Sequence, residues 1–549
     1  MPKARRAVLL GAIALAALPA TASAAGPRIT YYFGLERPEG AAQQAFFAAG
    51  DPASPSYRQF LTPAELKARY GAAPAVRRAF RRQARKRGLR VAIDPSGVFA
   101  RVSGPVARFE RVFGVRIVRS FNNDVFAHAW QVQKDRRLRL PAAFRPLVRD
   151  VVASYARSTR KPPAQASATP PGNEGTWTGG CDAARKTGAY AFGQVRHAYG
   201  IDGAGTGAGA AVAILNAGEG VPAADRRTYA RCFGLPDVAP RTLMTDGQAK
   251  PFGRGSFEPQ EDLALVRGMA PGLAAITFTQ VWLAEELWFL GPAQVLAAGR
   301  LPDSMSISYG VCEPVIRGRE AAPASRAGAR LMDAMLVRLG LAGVSTFASA
   351  GDSGSTCNGQ PYAGVAWPAS SPFLTAVGGT RLTVGKDNLR TDEVVWNDLR
   401  WQSAGTGGGA GGGGYARSSP RPPYQDGLGL RNRRAVPDVA AHASMFPAWP
   451  VNLGRFWEPD GGTSAASPLV AAGFAVVSAR ERAAGRPPLG PVNGLLYDVR
   501  ATAPDLLYDI VAGDNGYTRK VPARHARPGY DLASGVGVPR FRDLAAALG

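Results

Sequence analysis

Ser464 stands in a run of small residues, Gly461-Gly462-Thr463-Ser464-Ala465-Ala466-Ser467-Pro468, that enters an apolar stretch read as a helix over 465–479. Small residues let a substrate backbone approach a hydroxyl closely. A helix N-terminus favours negative charge forming beside it, as acyl transfer requires. The same run also fits a plain helix cap, so it does not by itself make Ser464 a nucleophile. A nucleophilic serine needs a base. In Ser256-Phe257-Glu258-Pro259-Gln260-Glu261-Asp262-Leu263, Glu258 and Asp262 are four residues apart and share one face of a helix. Ser256 is placed to cap that helix, and Pro259 is tolerated in its first turn. Two carboxylates held close favour sharing one proton, which leaves one as base and the other to orient it. By spacing alone, a solvated acidic helix start is the commoner reading. Asp352, in Gly351-Asp352-Ser353-Gly354 after the apolar run 344–350, can donate to an oxyanion only when protonated, at low pH or with a raised pKa. As a bare tetrapeptide it reads first as a strand-end turn.

The elements that must position these groups follow from the rest of the chain. Its 549 residues exceed one core, so at least two domains are expected, and 46% hydrophobic against 19% charged residues describe an ordinary soluble globular protein. Lys3, Arg5 and Arg6 precede a short apolar core over 7–18 and then Ala22-Ser23-Ala24. That is the pattern of a secretory signal over 1–24, too short to span a bilayer, and no later segment qualifies as a span. Segment 26–157 alternates strands near 29–33, 89–93, 98–102 and 115–118 with helices over 63–70 (capped by Thr62), 76–86 and 105–113. This order predicts a small α+β, ferredoxin-like domain. Residues 158–180, rich in Pro, Ser, Thr, Gly and Ala, read as a linker. Over 181–549, apolar strand runs at 211–215, 274–279, 304–309 and 344–348 alternate with helices, which predicts an α/β domain with a parallel sheet covered on both faces.

The formal charge of +25 is concentrated in 26–165, which carries a net +18, whereas 166–549 carries +4. No zinc-finger spacing or RNA-binding aromatic signature accompanies the basic part, so nucleic acid is not an expected partner. Cys181, Cys232, Cys312 and Cys357 all follow residue 165. In an exported chain an even number points to disulfides, with three connectivities open, and their separations match no metal-binding pattern.

The eight residues around Ser464 resemble the nucleophile motif shared by subtilisins and sedolisins. Subtilisins pair the serine with a histidine in a His-Gly-Thr-His-type turn, a context that none of His128, His197, His442 and His525 has. The stretch from Glu258 through Asp262 to Met269-Ala270-Pro271-Gly272 is similar instead to the Glu-x-x-x-Asp helix of the sedolisin (kumamolisin-like) serine-carboxyl peptidases. Asp51-Pro52-Ala53-Ser54-Pro55-Ser56-Tyr57-Arg58-Gln59-Phe60-Leu61-Thr62 is similar to that family's activation-domain signature, and the resemblance covers nearly the whole chain after the signal. It implies a subtilisin-like catalytic domain over 181–549, preceded by a removable prosegment that acts as chaperone and inhibitor. It further implies polypeptide substrates, Glu258 as general base, Asp262 as its orienting partner, Ser464 as nucleophile and Asp352 as the oxyanion residue.

The resemblance also implies one calcium ion. Tyr508-Asp509-Ile510 and Pro528-Gly529-Tyr530-Asp531 resemble the family's calcium loop, with carboxylate oxygens from Asp509 and Asp531 and backbone carbonyls from Ile510, Arg527 and Gly529. Such all-oxygen ligation suits calcium, not zinc. The run 405–414, a flexible linker by composition, resembles with Pro422-Pro423-Tyr424-Gln425 the family's substrate-cleft stretch. Three positions depart from the pattern. Asn216 and Tyr309 stand where relatives often carry a Glu and a Trp that extend the carboxylate network, and Arg527 stands where a Gly is usual. The cysteines are not general to the family. Cys312 and Cys357 each follow a predicted strand on the active-site side, and we expect them to pair, leaving Cys181 with Cys232.

The expected function is acid-active peptide hydrolysis by a secreted enzyme made as a zymogen. Two alternatives stand beside it: a subtilisin-type peptidase using His197 or His442, and an inactive exported binding protein on the same scaffold. The basic prosegment is expected to meet an acidic cleft holding Glu258, Asp262 and Asp352, whose protonation weakens the contact.

Overall fold

The computed structural model describes residues 27–122, 127–133, 138–153, 172–217, 220–244, 257–281, 284–319, 321–401 and 408–549. The expected signal, the linker portion 158–171, Ser256 and residues 402–407 lie outside these. Strands β1 (Arg28–Leu35), β2 (Arg90–Ile93), β3 (Phe99–Pro105) and β4 (Val148–Val152) form an antiparallel sheet in the order β2-β3-β1-β4. Side chains alternate across β1, as a strand requires. Ile29, Tyr31 and Phe33 enter a core closed by Phe80 and Ala84 of α3 (Pro74–Lys86) and by Phe109 and Phe113 of α4 (Val106–Phe113). Tyr32 points the other way and meets Phe289 of the main body edge-on, with ring centroids 5.6 Å apart. Helix α2 (Pro63–Tyr70) starts on the expected Thr62 cap. The Thr62 hydroxyl accepts from Glu65 N at 3.3 Å, and the Glu65 carboxylate accepts from Thr62 N at 2.8 Å.

The main body is built on a largely parallel sheet. Its strands are β5 (Ala211–Ala217), β6 (Arg241–Met244), β7 (Ala275–Val281), β8 (Ser304–Ile307), β9 (Ser345–Ser349), β10 (Thr375–Val384) and β11 (Arg390–Val395). They lie in the order β11-β10-β9-β8-β5-β7-β6, with β12 (Val439–His442) also paired to β10 and only the β10–β11 pair antiparallel. Every residue of β5 is buried because both sheet faces are covered. Val212 and Ile214 enter the core shared with α5 (Phe257–Met269) and α8 (Thr463–Ala483). Ala213 and Leu215 enter the core shared with α6 (Leu290–Ala297) and α7 (Pro323–Leu341). The expected α/β class and the small α+β layer before it are both found.

Helix α1 (Glu39–Gly50) lays the N-terminal layer against α7. Phe46 fits there only because residue 340 is a glycine: a Cβ on Gly340 would come within 2.3 Å of the Phe46 ring. Around this apolar seat, Arg58 Nη1 meets Glu481 at 2.9 Å, Arg330 Nε meets Asp150 at 2.6 Å, and Glu39 is gripped by both Arg338 and Arg37. Two of these three cross-pairs set a carboxylate of the N-terminal layer against an arginine of the main body. The expected attraction of a basic segment for an acidic cleft is therefore not what joins the described residues. The reason is geometric: α3, which carries much of the positive charge, packs on the sheet face turned away from the main body.

Candidate active site

Strands β8 and β9 run parallel in register, Ile307 beside Ala348, so the residues that follow them, Ser308 and 350–352, emerge at one edge of the sheet. Helix α8 begins at the same edge. Ser464 lies in its first turn, and its Oγ donates to the Ser308 carbonyl oxygen at 3.1 Å, with the Glu258 carboxyl beside it. Pro468, four residues on, has no N–H to offer the Ser464 carbonyl. The Ser308 hydroxyl fills that place at 3.2 Å, which ties the nucleophile's turn to the end of β8.

Glu258 and Asp262 share the face of α5 that their spacing predicts. Ser308 Oγ lies 2.6 Å from Asp262 Oδ1, while Asp262 Oδ2 and Glu258 Oε1 are buried without a hydrogen-bond partner among the described residues. Burial pushes both carboxyls up, and for Glu258 the charge of Asp262 adds to it, while Ser464 opposes. Such a pair holds one proton between its members over a wide pH range. Asp352 is open to solvent on its cleft side, yet its Oδ1 accepts from both the N and the Oγ1 of Thr463 at 2.7 Å. Its pKa is raised by its enclosed position against the pull of those two bonds. Gly462, at φ 106°, is the residue this arrangement demands, since a Cβ there would lie 3.1 Å from Asp352 Oδ2. The structure thus brings all four expected residues to one cleft.

Three residues that the sequence reading passed over belong to the same cleft. Ser308 links Asp262 to the Ser464 turn. Glu261, one residue before Asp262, is only 2% exposed and its Oε1 lacks a hydrogen-bond partner among the described residues. Asp460 ends β13 (Phe456–Asp460), four residues before Ser464. Burial lifts Glu261 well above the ordinary carboxylate range, with the charges of Asp460 and Glu258 next. Burial lifts Asp460 to about 6, opposed by Gly461 N and aided by Asp352. Glu261 lies between Glu258 and Asp262 and Asp460 just before Gly461, but an acidic residue near a helix start carries no mark of whether it is solvated or buried. At the departing positions, Tyr309 donates to Asn216 Oδ1 at 3.2 Å, so a neutral bond replaces the expected outer carboxylate contact.

The glycine run is not a slack linker where it is described. Gly412 N donates to Gly351 O at 2.7 Å, and a Cβ on Gly412 would lie 2.1 Å from Ala350 O, so 408–414 packs on the backbone beneath Asp352. Both expected disulfides are present: Cys312–Cys357 joins the two loops that carry Ser308 and Asp352, and Cys181–Cys232 lies apart from them. His442 is no base for Ser464. Its Nδ1 accepts from Leu382 N, its Nε2 bonds the Pro447 carbonyl, and burial lowers it to about 4. His197 instead pairs with Asp202 at 2.6 Å.

The proposed calcium ligands also meet. Asp509 Oδ2 accepts from Gly529 N at 2.9 Å, which brings the 509–510 and 527–531 segments together, and Asp509 Oδ1 is buried without a partner among the described residues. Asp531 is fixed by Ala533 N, Ser534 N and Arg527 N. Gly529, at φ 87°, needs to be glycine, whereas Arg527 is not among the left-handed residues, so its departure from Gly costs no strain. No group of three or more His, Cys, Asp or Glu forms a metal cluster among the described residues. Two carboxylates with backbone carbonyls still fit a hard cation. Arg500, 3.1 Å from Asp509 Oδ2, is the one opposing charge paired with it among the described residues.

Comparison with known proteins bears on this geometry. The family model described as "Pro-kumamolisin, activation domain" matches residues 21–153. Kumamolisin from Bacillus sp. (strain MN-32) is 30% identical over 461 residues, covering 81% of this chain and 78% of its own. Sedolisin from Pseudomonas sp. (strain 101) is 28% identical over 64% of this chain and 60% of its own. The solved structure of Pseudomonas sedolisin, a serine-carboxyl proteinase complexed with two molecules of pseudo-iodotyrostatin, superposes with a TM-score of 0.58 at 23% identity, covering 69% of this chain and 99% of that one.

Proposed function

The chain belongs to the sedolisin (kumamolisin-like) family of serine-carboxyl peptidases, and from that premise we propose that it is a secreted, acid-acting endopeptidase made as a zymogen. Ser464 attacks the scissile carbonyl as Glu258 takes its proton, and Asp262 holds Glu258 in place through the shared proton. Protonated Asp352 donates to the oxyanion that forms. The proton on Glu258 then passes to the leaving amine, and water attacks the acyl-enzyme by the reverse relay. The observation that carries this reading is Ser464 tied through Ser308 to Asp262, with Glu258 beside it, at a site where five carboxyls with raised pKa converge. Acid pH suits it, since Asp352 donates only while protonated.

In this reading 1–24 is a signal, 26–157 the prosegment, cleaved within 158–180, and 181–549 the enzyme. One Ca2+ bound by Asp509, Ile510, Arg527, Gly529 and Asp531 would cross-link the C-terminal loops, a structural role outside the chemistry. Incubating the processed protein with casein at about pH 4 tests the assignment. We expect internal cleavage that Ser464→Ala abolishes, and cleavage surviving in Ser464→Ala would overturn it.

A further inference from the structure

The positive charge on the outer helices of the N-terminal layer has no ion-pair partner among the described residues. On α3, Arg78, Arg81, Arg82 and Arg85 recur at the spacing of one helical face, all exposed, with exposed Lys86 beside them. The opposite face is committed to the core through Phe80 and Ala84. The basic row continues onto α4, where Arg108 Nη1 reaches the carbonyl of Arg87 at 3.5 Å, just past the end of α3. Helix α3 contains no acid, and the one acid of α4, Glu110, accepts from Ile117 N at 2.8 Å. Among the described residues none of these six cations has an ion-pair partner. The face also points outward, because α3 and α4 cover the sheet side opposite to the one that Tyr32 presses on Phe289.

We propose that this outer basic face docks the unprocessed protein on an anionic lipid surface, and that removal of 26–157 frees the enzyme from it. The second half rests on the zymogen reading above; the first does not. The exposed large hydrophobic side chains of the described residues all lie from Met244 onward, so the described side chains of the N-terminal layer offer neither an exposed aromatic ring to stack on bases nor an apolar wedge for the bilayer. What remains is a flat row of guanidinium groups, the chemistry that collects on phosphate headgroups and is released by salt. A chain expected to be exported meets such a surface as it leaves the membrane.

The test uses the full chain with Ser464→Ala, so that the prosegment stays attached and activity plays no part. It is sedimented with vesicles of phosphatidylglycerol and phosphatidylcholine in equal parts, and with phosphatidylcholine alone. We expect binding to the anionic vesicles only, lost in about 0.5 M salt. Arg78→Gln, Arg81→Gln, Arg82→Gln and Arg85→Gln together should weaken it at least about tenfold. If that variant melts early, Arg108→Gln together with Arg111→Gln, an exposed arginine one turn further along α4, takes its place and should weaken binding too. Absence of binding, equal binding to neutral vesicles, or indifference to salt or to both variants overturns the proposal. So does a short DNA duplex that strips the protein from the vesicles at equal phosphate, which would assign the face to nucleic acid.

Discussion

At the scale of single residues, the site is a set of carboxyls whose neighbours decide when each carries charge. Glu258 is held up by burial first, then by Asp262 and Asp460. Removing the Asp460 charge should let Glu258 ionise at lower pH. Asp460→Asn is therefore expected to move the acid limb of the kcat/KM profile down by roughly one unit, with little loss at the optimum. A purely structural role for Asp460 would lower the rate without moving the limb. Ser308 acts through its bonds to Asp262 and to the Ser464 carbonyl left without a donor by Pro468. Ser308→Ala should cost about tenfold to a hundredfold in kcat with KM little changed, measured on a peptide substrate. The four residues expected to react were legible because their types and spacings are unusual together. Glu261, Asp460 and Ser308 were not, since burial, and which hydroxyl meets the carbonyl that Pro468 leaves free, are properties of packing that local sequence does not carry.

At the scale of elements, the two strand-end loops that carry Ser308 and Asp352 are tied by Cys312–Cys357, which closes a loop of sequence separation 45. Replacing both cysteines with serine should lower stability by about 3–4 kcal/mol, read as a fall in Tm. The C-terminal loops should respond to metal in the same way. Chelator should lower the Tm of the native protein, and Arg500→Gln should tighten calcium binding measured by calorimetry, because it removes the cation beside Asp509. The element order was readable from apolar runs: β5, β7, β8 and β9 fall where the runs predicted, and the Thr62 capping box marks α2 to the residue. The glycine run was misleading by composition. Its tight packing on Ala350 and Gly351 is a long-range contact that composition does not encode.

At the scale of the whole molecule, two sets of carboxyls respond to acid with opposite sign. Those of the cleft have raised pKa values, so the folded body binds more protons than the unfolded chain. Its stability is fullest at low pH and is lost as pH rises through the folded values, about 6 for Asp460. Glu39 is the reverse case: burial raises it, but Arg338 and Arg37 outweigh that and hold it low, and Glu481 is likewise held low by Arg486 and Arg58. What those pairs contribute is present above the ordinary carboxylate value of 4.5 and lost as pH falls through the lowered folded values. Acid should therefore loosen the N-terminal layer while firming the body. After cleavage between them, the two pieces are expected to co-elute at neutral pH and to separate at about pH 3. The distribution of charge along the chain foretold a strong electrostatic role for the N-terminal layer but assigned it to the cleft; the fold shows that the basic helices face outward and that acids make two of the three contacts. The central claim, a serine served by carboxylates, is tested most directly by the pH dependence of kcat/KM for the processed enzyme beside Glu258→Gln. The account predicts a bell with its maximum well below neutrality, and a loss of at least about a thousandfold in Glu258→Gln at every pH. A rate that climbs to neutrality or above, or survives in Glu258→Gln, would contradict it.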